Sequence, residues 1–154
     1  VFDTGRFAYS NTTPQTFSLA STLVSCGANL VAINSAMEEN KSVEDLCHLK
    51  EAIDSLTVLY DYKIAYTTVV IRKALKIKVI DFIRQLGGIN VFVVFQVLND
   101  QLVKVNLRSR NAFDVSLFSK QFGGGGHQKA SGILYKGTLE SCQNEILSAL
   151  KEII

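Results

Sequence analysis

The segment Phe122-Gly123-Gly124-Gly125-Gly126-His127-Gln128-Lys129-Ala130-Ser131-Gly132 gathers residue types that handle anions. Four consecutive glycines cost up to about 1 kcal/mol each against alanine inside a regular element. They fit where the backbone takes positive φ or must approach another group closely. Consecutive N–H groups in such a turn form a nest for phosphate or carboxylate oxygens. His127, at the end of the run, can donate a hydrogen bond to an anion or stack on a base. The run matches neither common phosphate-binding glycine pattern. No Gly-Lys-Ser/Thr follows it, and Gln128 or Lys129 stands where the last glycine of G-x-G-x-x-G belongs. It also follows a helix, whereas both motifs follow a strand. Upstream, Arg108-Ser109-Arg110 offers guanidinium groups suited to bidentate phosphate contacts or to stacking on a base. The third element is Asp3-Thr4-Gly5-Arg6-Phe7, an aspartate just past an apolar pair. The carboxyl end of a strand is where ligand crevices open, so Asp3 is placed to bind a metal. One carboxylate does not make a metal site, and alone Asp3 equally reads as a turn or capping residue.

These residues need elements to position them. Val91 to Leu98 is apolar on both faces, as a central buried strand is, and Asn99-Asp100 signals a turn. Val103, Val105 and Leu107 then alternate with Lys104, Asn106, Arg108 and Arg110, so period 2 puts the four polar residues on one face. The expectation is a β-hairpin over 91–110 with one cationic face. A helix capped by Asn111 or Asp114, with Val115, Phe118 and Phe122 on its apolar stripe, leads to the glycines. A short strand over 131–135 and a Thr138-capped helix bearing Leu139, Cys142, Ile146 and Leu150 follow. Earlier in the chain, Thr13-Pro14 starts a helix that stops at Gly27, and 28–41 is a partly helical connector. Ser42 and Asp45 resemble a capping box for an amphipathic helix over 43–59. Residues 63–71 read as a strand, and a helix over about 73–86 ends at Gly87-Gly88. The fold class is therefore α/β, a mixed sheet flanked by helices.

The chain has 154 residues, 47% hydrophobic and 19% charged, which excludes a disordered or low-complexity chain. No uncharged apolar run approaches the ~18 residues a membrane span needs, and no signal peptide is visible. The formal charge is +2, from 16 basic and 14 acidic residues, which argues against binding nucleic acid by bulk charge alone. It suits a short ligand better than a long polymer. Cys26, Cys47 and Cys142 show no C-x-x-C spacing and read as reduced, mostly buried thiols of a cytoplasmic protein. With only His48 and His127 present, the sequence argues against a Cys/His zinc site. The opening Val-Phe-Asp-Thr-Gly has no initiator Met and looks like the end of a strand, as in a C-terminal portion of a longer protein.

Asp3-Thr4-Gly5-x-Phe7 resembles the last metal-binding motif of the DHH phosphoesterase superfamily. Arg108-Ser109 with Gly124-Gly125-Gly126-His127-x-x-Ala130-Ser131-Gly132 resembles the glycine–histidine signature of its DHH-associated C-terminal domain. The two motifs stand in the family's order, and the resemblance covers essentially the whole chain. It is nearest to the nanoRNase and 3′-phosphoadenosine 5′-phosphate phosphatase type, which are cytoplasmic, manganese-dependent enzymes. The resemblance implies that 1–35 is the remnant of a DHH catalytic domain plus connector, and that 42–154 is the DHH-associated substrate-binding domain. It implies Asp3 as a ligand of a manganese pair. Arg108, Ser109, Gly124, Gly125, Gly126, His127 and Gly132 become the substrate-binding residues. The partners it implies are short single-stranded RNA or DNA, or a nucleoside bisphosphate, with no membrane; it allows a homodimer through the DHH domain. The Asp-His-His motif itself is absent, so these residues alone are expected to bind metal poorly and to turn over little substrate. Two other readings compete: a non-catalytic RNA- or nucleotide-binding module, like that at the C-terminus of alanyl-tRNA synthetases, and a plain dimerisation domain. Asp3-Thr4-Gly5 has no use in a binding module, and the dimerisation reading leaves the glycines without a purpose.

Overall fold

The strictest pattern in the chain, the alternation around residues 91–109, forms the centre of a six-stranded sheet. The computed structural model describes Thr4, Phe7 and residues 11–39, 41–71 and 78–154. Asp3 and Gly5, and the first part of the helix expected over 73–86, lie outside the described residues. The chain divides into two compact units, Val1–Asn40 and Lys41–Ile154.

The first unit holds α1 (Pro14–Ser25) and α2 (Leu30–Glu38). Thr13 caps α1 in a reciprocal box with Thr16, whose N–H donates to Thr13 Oγ1 at 3.3 Å while the Thr13 N–H donates to Thr16 Oγ1 at 3.1 Å. That satisfies two orphan donors of the first turn. Gly27, at φ +93°, ends the helix, and Asn29 caps the next by accepting from the Ala32 N–H at 2.9 Å. No residue of α1 is buried. No single described helix is long and apolar enough to cross a membrane.

In the second unit the order is α3 (Val43–Asp54), β1 (Thr57–Leu59), a 3-10 turn (Tyr60–Tyr62), β2 (Ile64–Val70), α4 (Val79–Ile83), β3 (Val91–Asn99), β4 (Leu102–Ser109), α5 (Val115–Lys120), β5 (Gly125–His127), β6 (Ala130–Lys136) and α6 (Leu139–Ile153). The strands lie in the order β1-β2-β3-β4-β6-β5. Only β2 and β3 run parallel; every other pair is antiparallel. The sheet is mixed and helix-flanked, as expected. The helix expected over 43–59 is shorter, ending at Asp54. The Ser55 hydroxyl donates to Thr68 O at 2.9 Å and shares a hydrogen with Thr67 Oγ1 at 2.7 Å, and the β-branched Thr57-Val58 continues as an edge strand.

Period 2 divides the sheet into two faces. One carries Val93, Phe95, Val105, Leu107 and Ile133, all buried, with Cys142, Ile146 and Leu150 of α6 packed over them. Burying a side chain of this size stabilises by about 1.5–3 kcal/mol, so this face supplies most of the cohesion. The other face is covered over β2 and β3, where Ala52 of α3 and Val79, Ile80 and Ile83 of α4 pack on Ala65, Phe92 and Val94. Neither helix continues over β4, β6 and β5.

Two of the three cysteines are exposed, Cys26 and Cys47, which corrects the expectation of mostly buried thiols. Their positions lie on the outer faces of α1 and α3, where one apolar atom more or less has no packing consequence. Cys142 is fully buried, and desolvation, with the Glu145 carboxylate adding to it, pushes its thiol up from 9.0 to about 12. A raised folded-state pKa adds stability that is present below about pH 9 and lost as pH rises towards about 12. In the native protein two thiols should react promptly with an aromatic disulfide reagent at pH 8, and the third only on unfolding. Three prompt thiols would contradict the burial of Cys142.

Candidate functional site

The uncovered part of the sheet gathers nearly all the residues that the sequence singled out. Register places them in rows across β4, β6 and β5. Arg108 pairs with Ala130, and Ala130 pairs with His127. Asn106 pairs with Gly132, and Gly132 pairs with Gly125. Lys104 pairs with Leu134. Directly paired residues point to the same side, so Arg108, Asn106, Lys104, His127, Gly125 and Gly132 share one face. Arg108 and His127 stand two strand spacings apart, about 10 Å, with only the Ala130 methyl between them. Beside that row, Gly132 and Gly125 leave a bare backbone floor.

The glycine run is not the open turn the sequence suggested. The Gly123 and Gly124 N–H groups donate to Lys120 O at 3.2 Å and Ser119 O at 2.8 Å, closing the end of α5. They are not available as a nest, and Gly125–His127 forms an edge strand on β6. The glycines differ in purpose. A Cβ on Gly124 would lie 2.3 Å from Gly132 O, so β5 approaches β6 only because residue 124 lacks one. Gly126 has φ +144°, and a Cβ there would lie 2.5 Å from Ala130 O. A Cβ on Gly125 would meet nothing within 4 Å, since it points into open space above the face.

What holds this strand in place was readable in part. Asp114 caps α5, accepting from the Ser116 N–H at 2.8 Å and the Leu117 N–H at 3.2 Å. The Ser116 hydroxyl, with those N–H groups and Lys120, holds the Asp114 carboxyl below the usual carboxylate range. Beneath the glycines, the Ser131 and Ser119 hydroxyls meet at 2.6 Å, and Ser131 donates to Val115 O at 2.7 Å, fastening β6 to α5. No sequence periodicity marks that buried pair.

Two candidates fall on other duties. Ser109 is buried and points to the opposite face, where its hydroxyl donates to Phe113 O at 2.7 Å. It shapes the turn after β4 and does not reach the open face. Arg110 donates to Leu86 O at 2.8 Å and to Arg84 O, and its guanidinium lies 5.3 Å from the Phe92 ring centroid. It thereby closes the carbonyl end of the α4 turn. Arg108 spends one N–H on Leu107 O at 3.0 Å and keeps the rest of its five donors for the face.

Arg108 also borders a cavity of about 470 Å³ on the side of α4, lined by Lys78, Lys104, Gln96, Asn106 and Val94 among others. Its lining does not include the glycine strand; Arg108 is the member the cavity and the glycine rows have in common. Lys78 and Gln96 were not foreseen, because their approach depends on where α4 ends over the sheet. No three His, Cys, Asp or Glu side chains come together among the described residues. His48 is buried in α3 against Glu51, with Nδ1 at 3.3 Å from Oε2. The described residues therefore do not by themselves fit a metal pair.

Residues 55–154 match the family described as the DHHA1 domain. The chain belongs to the DHHA1 family. Across 97% of its length it is 27% identical to the bifunctional oligoribonuclease and PAP phosphatase NrnA of Thermus thermophilus, covering 47% of that protein. Its fold is similar to that of an exopolyphosphatase-related protein from Bacteroides fragilis, with a TM-score of 0.88, 21% identity, and coverage of 98% of this chain and 46% of that one. A looser likeness, with a TM-score of 0.52 and 10% identity, links 71% of the DHHA1 chain to 38% of the pGpG-specific phosphodiesterase PggH from Vibrio cholerae. The chain thus spans less than half the length of these relatives. Domain family and fold agree with the C-terminal, DHH-associated part of a DHH phosphoesterase.

Proposed function

We propose that this chain is the substrate-binding portion of a metal-dependent phosphoesterase that hydrolyses short oligonucleotides or nucleoside 3′,5′-bisphosphates. The observation that carries the reading is the row Arg108–Ala130–His127 beside the side-chain-free pair Gly132–Gly125. A guanidinium at one end of the row takes a phosphate by charge-assisted hydrogen bonds. An imidazole at the other end takes a base by stacking or a second phosphate oxygen by donation. The glycine floor lets the sugar lie against the backbone. The named activity of the Thermus thermophilus relative supports the choice of short oligonucleotides and bisphosphates. In this reading the chain's residues bind and orient the substrate. A manganese pair would draw its ligands, Asp3 among them, from outside the described residues. The 154 residues alone would then turn over little or no substrate. A cytoplasmic setting and a homodimer through the DHH domain belong to the same proposal.

The test is a nuclear magnetic resonance titration of the chain with adenosine 5′-monophosphate. The expected result is a saturable shift of the His127 imidazole and of the Gly125 and Gly132 amides, absent with adenosine alone at the same concentration. Shifts confined to other parts of the sheet would overturn the assignment of this face.

A further inference from the structure

We propose that the cavity bordered by Lys104 and Arg108 is a second nucleotide subsite, so that this face reads a dinucleotide unit; this rests on the reading of Arg108 and His127 as the first. The cavity's volume of about 470 Å³ falls within the range of small-ligand clefts. Its lining combines what a nucleotide needs. Lys78, Lys104 and Arg108 supply positive charge, and no acidic residue is among the described lining. Val79, Ile80 and Val94 supply an apolar wall.

The amides supply a base edge. Asn106 Nδ2 donates to Gln96 Oε1 at 2.9 Å, which occupies one donor group and one acceptor. Gln96 Nε2 and Asn106 Oδ1 remain, a donor beside an acceptor, without a hydrogen-bond partner among the described residues. Turning both amides over leaves the same complement, one donor and one acceptor. Each nucleobase presents a donor next to an acceptor on its Watson–Crick edge, so the pair fits bases without strong preference among them.

Arg108 joins the two sites. It lines the cavity and also heads the row that ends in His127. Its guanidinium therefore stands where a phosphodiester linking two nucleotides would run, one base on the glycine side and one in the cavity. Lys104 lies four residues along β4, about 13 Å of strand, and its exposed side chain reaches the far rim. A terminal phosphate or the next phosphodiester would meet it there.

The experiment is calorimetric titration of the 154-residue chain, and of its Lys104→Gln variant, with adenosine 5′-monophosphate and with the dinucleotide pApA. The unsubstituted chain should bind pApA about tenfold more tightly than the mononucleotide. Lys104→Gln should remove about that factor for pApA and leave the mononucleotide affinity unchanged. The slope of log K against log salt for pApA should fall by about 0.7 in the variant. Lys104 is exposed, and an unchanged mononucleotide affinity certifies the fold of the variant. Equal affinities for the two ligands in the unsubstituted chain overturn the subsite, as does an equal loss of both in the variant. If the mononucleotide fails to bind and His127 is unperturbed, the reading of the first site falls. The subsite is then decided by pApA alone: a tenfold loss in Lys104→Gln supports it, and no loss refutes it.

Discussion

Arg108→Ala should weaken nucleotide binding by roughly 1.5–3 kcal/mol, about 10- to 150-fold in Kd, without lowering the melting temperature. Its side chain is half-buried and lies on the part of the sheet that no helix covers. Among the described residues it has no carboxylate partner, and its only bond within the fold is to Leu107 O. Removing it therefore takes a charge-assisted contact from the ligand and almost nothing from the protein. Arg110→Ala is the control, since that guanidinium bonds Leu86 O and stacks on Phe92. Its loss should lower stability and spare affinity. Titration calorimetry and thermal melting of the two variants separate these outcomes. An Arg108→Ala protein that binds adenosine 5′-monophosphate normally removes Arg108 from the site.

The second large effect divides adjacent glycines. Gly126→Ala should destabilise the protein by about 2–4 kcal/mol, from left-handed backbone strain and overpacking together. The new methyl carbon would begin 2.5 Å from Ala130 O and 2.7 Å from Ser131 Cα, at φ +144°. Backbone atoms of a paired strand cannot retreat without breaking the ladder. Gly125→Val meets nothing within 4 Å and should melt within a few degrees of the parent chain. Its isopropyl group would nevertheless stand on the floor beside the Arg108–His127 row, and nucleotide affinity should drop tenfold or more. Equal destabilisation by both substitutions would contradict the pairing of β5 with β6. Normal binding by Gly125→Val would contradict the use of that floor.

The parts of this architecture that were legible are those where burial repeats with a period. Val91 to Leu107 shows two strands because alternate residues face a core that tolerates only apolar atoms. Thr13, Ser42, Asp114 and Thr138 show helix starts because an N-cap is a local contact between residues two or three apart. The glycine run resisted reading for the opposite reason. Glycine has no strand propensity, and β5 exists because β6 is already there to accept a backbone without Cβ atoms. Ser109 and Arg110 misled because a polar residue next to a functional one carries no mark of which side it faces once the strand ends. The cavity at Lys104 was invisible, since it is bounded by α4 and β4, elements separated by the whole of β3.

The sheet keeps its cohesion on one side and its recognition on the other. Phe95, Leu107, Ile133 and Ile146 hold the strands from beneath, while Lys104, Arg108 and His127 above them hold nothing but prospective ligand. Mutational drift on the upper surface is therefore nearly free of a folding penalty. A lineage could exchange one phosphorylated ligand for another there, a residue at a time, while passing through no unstable ancestor.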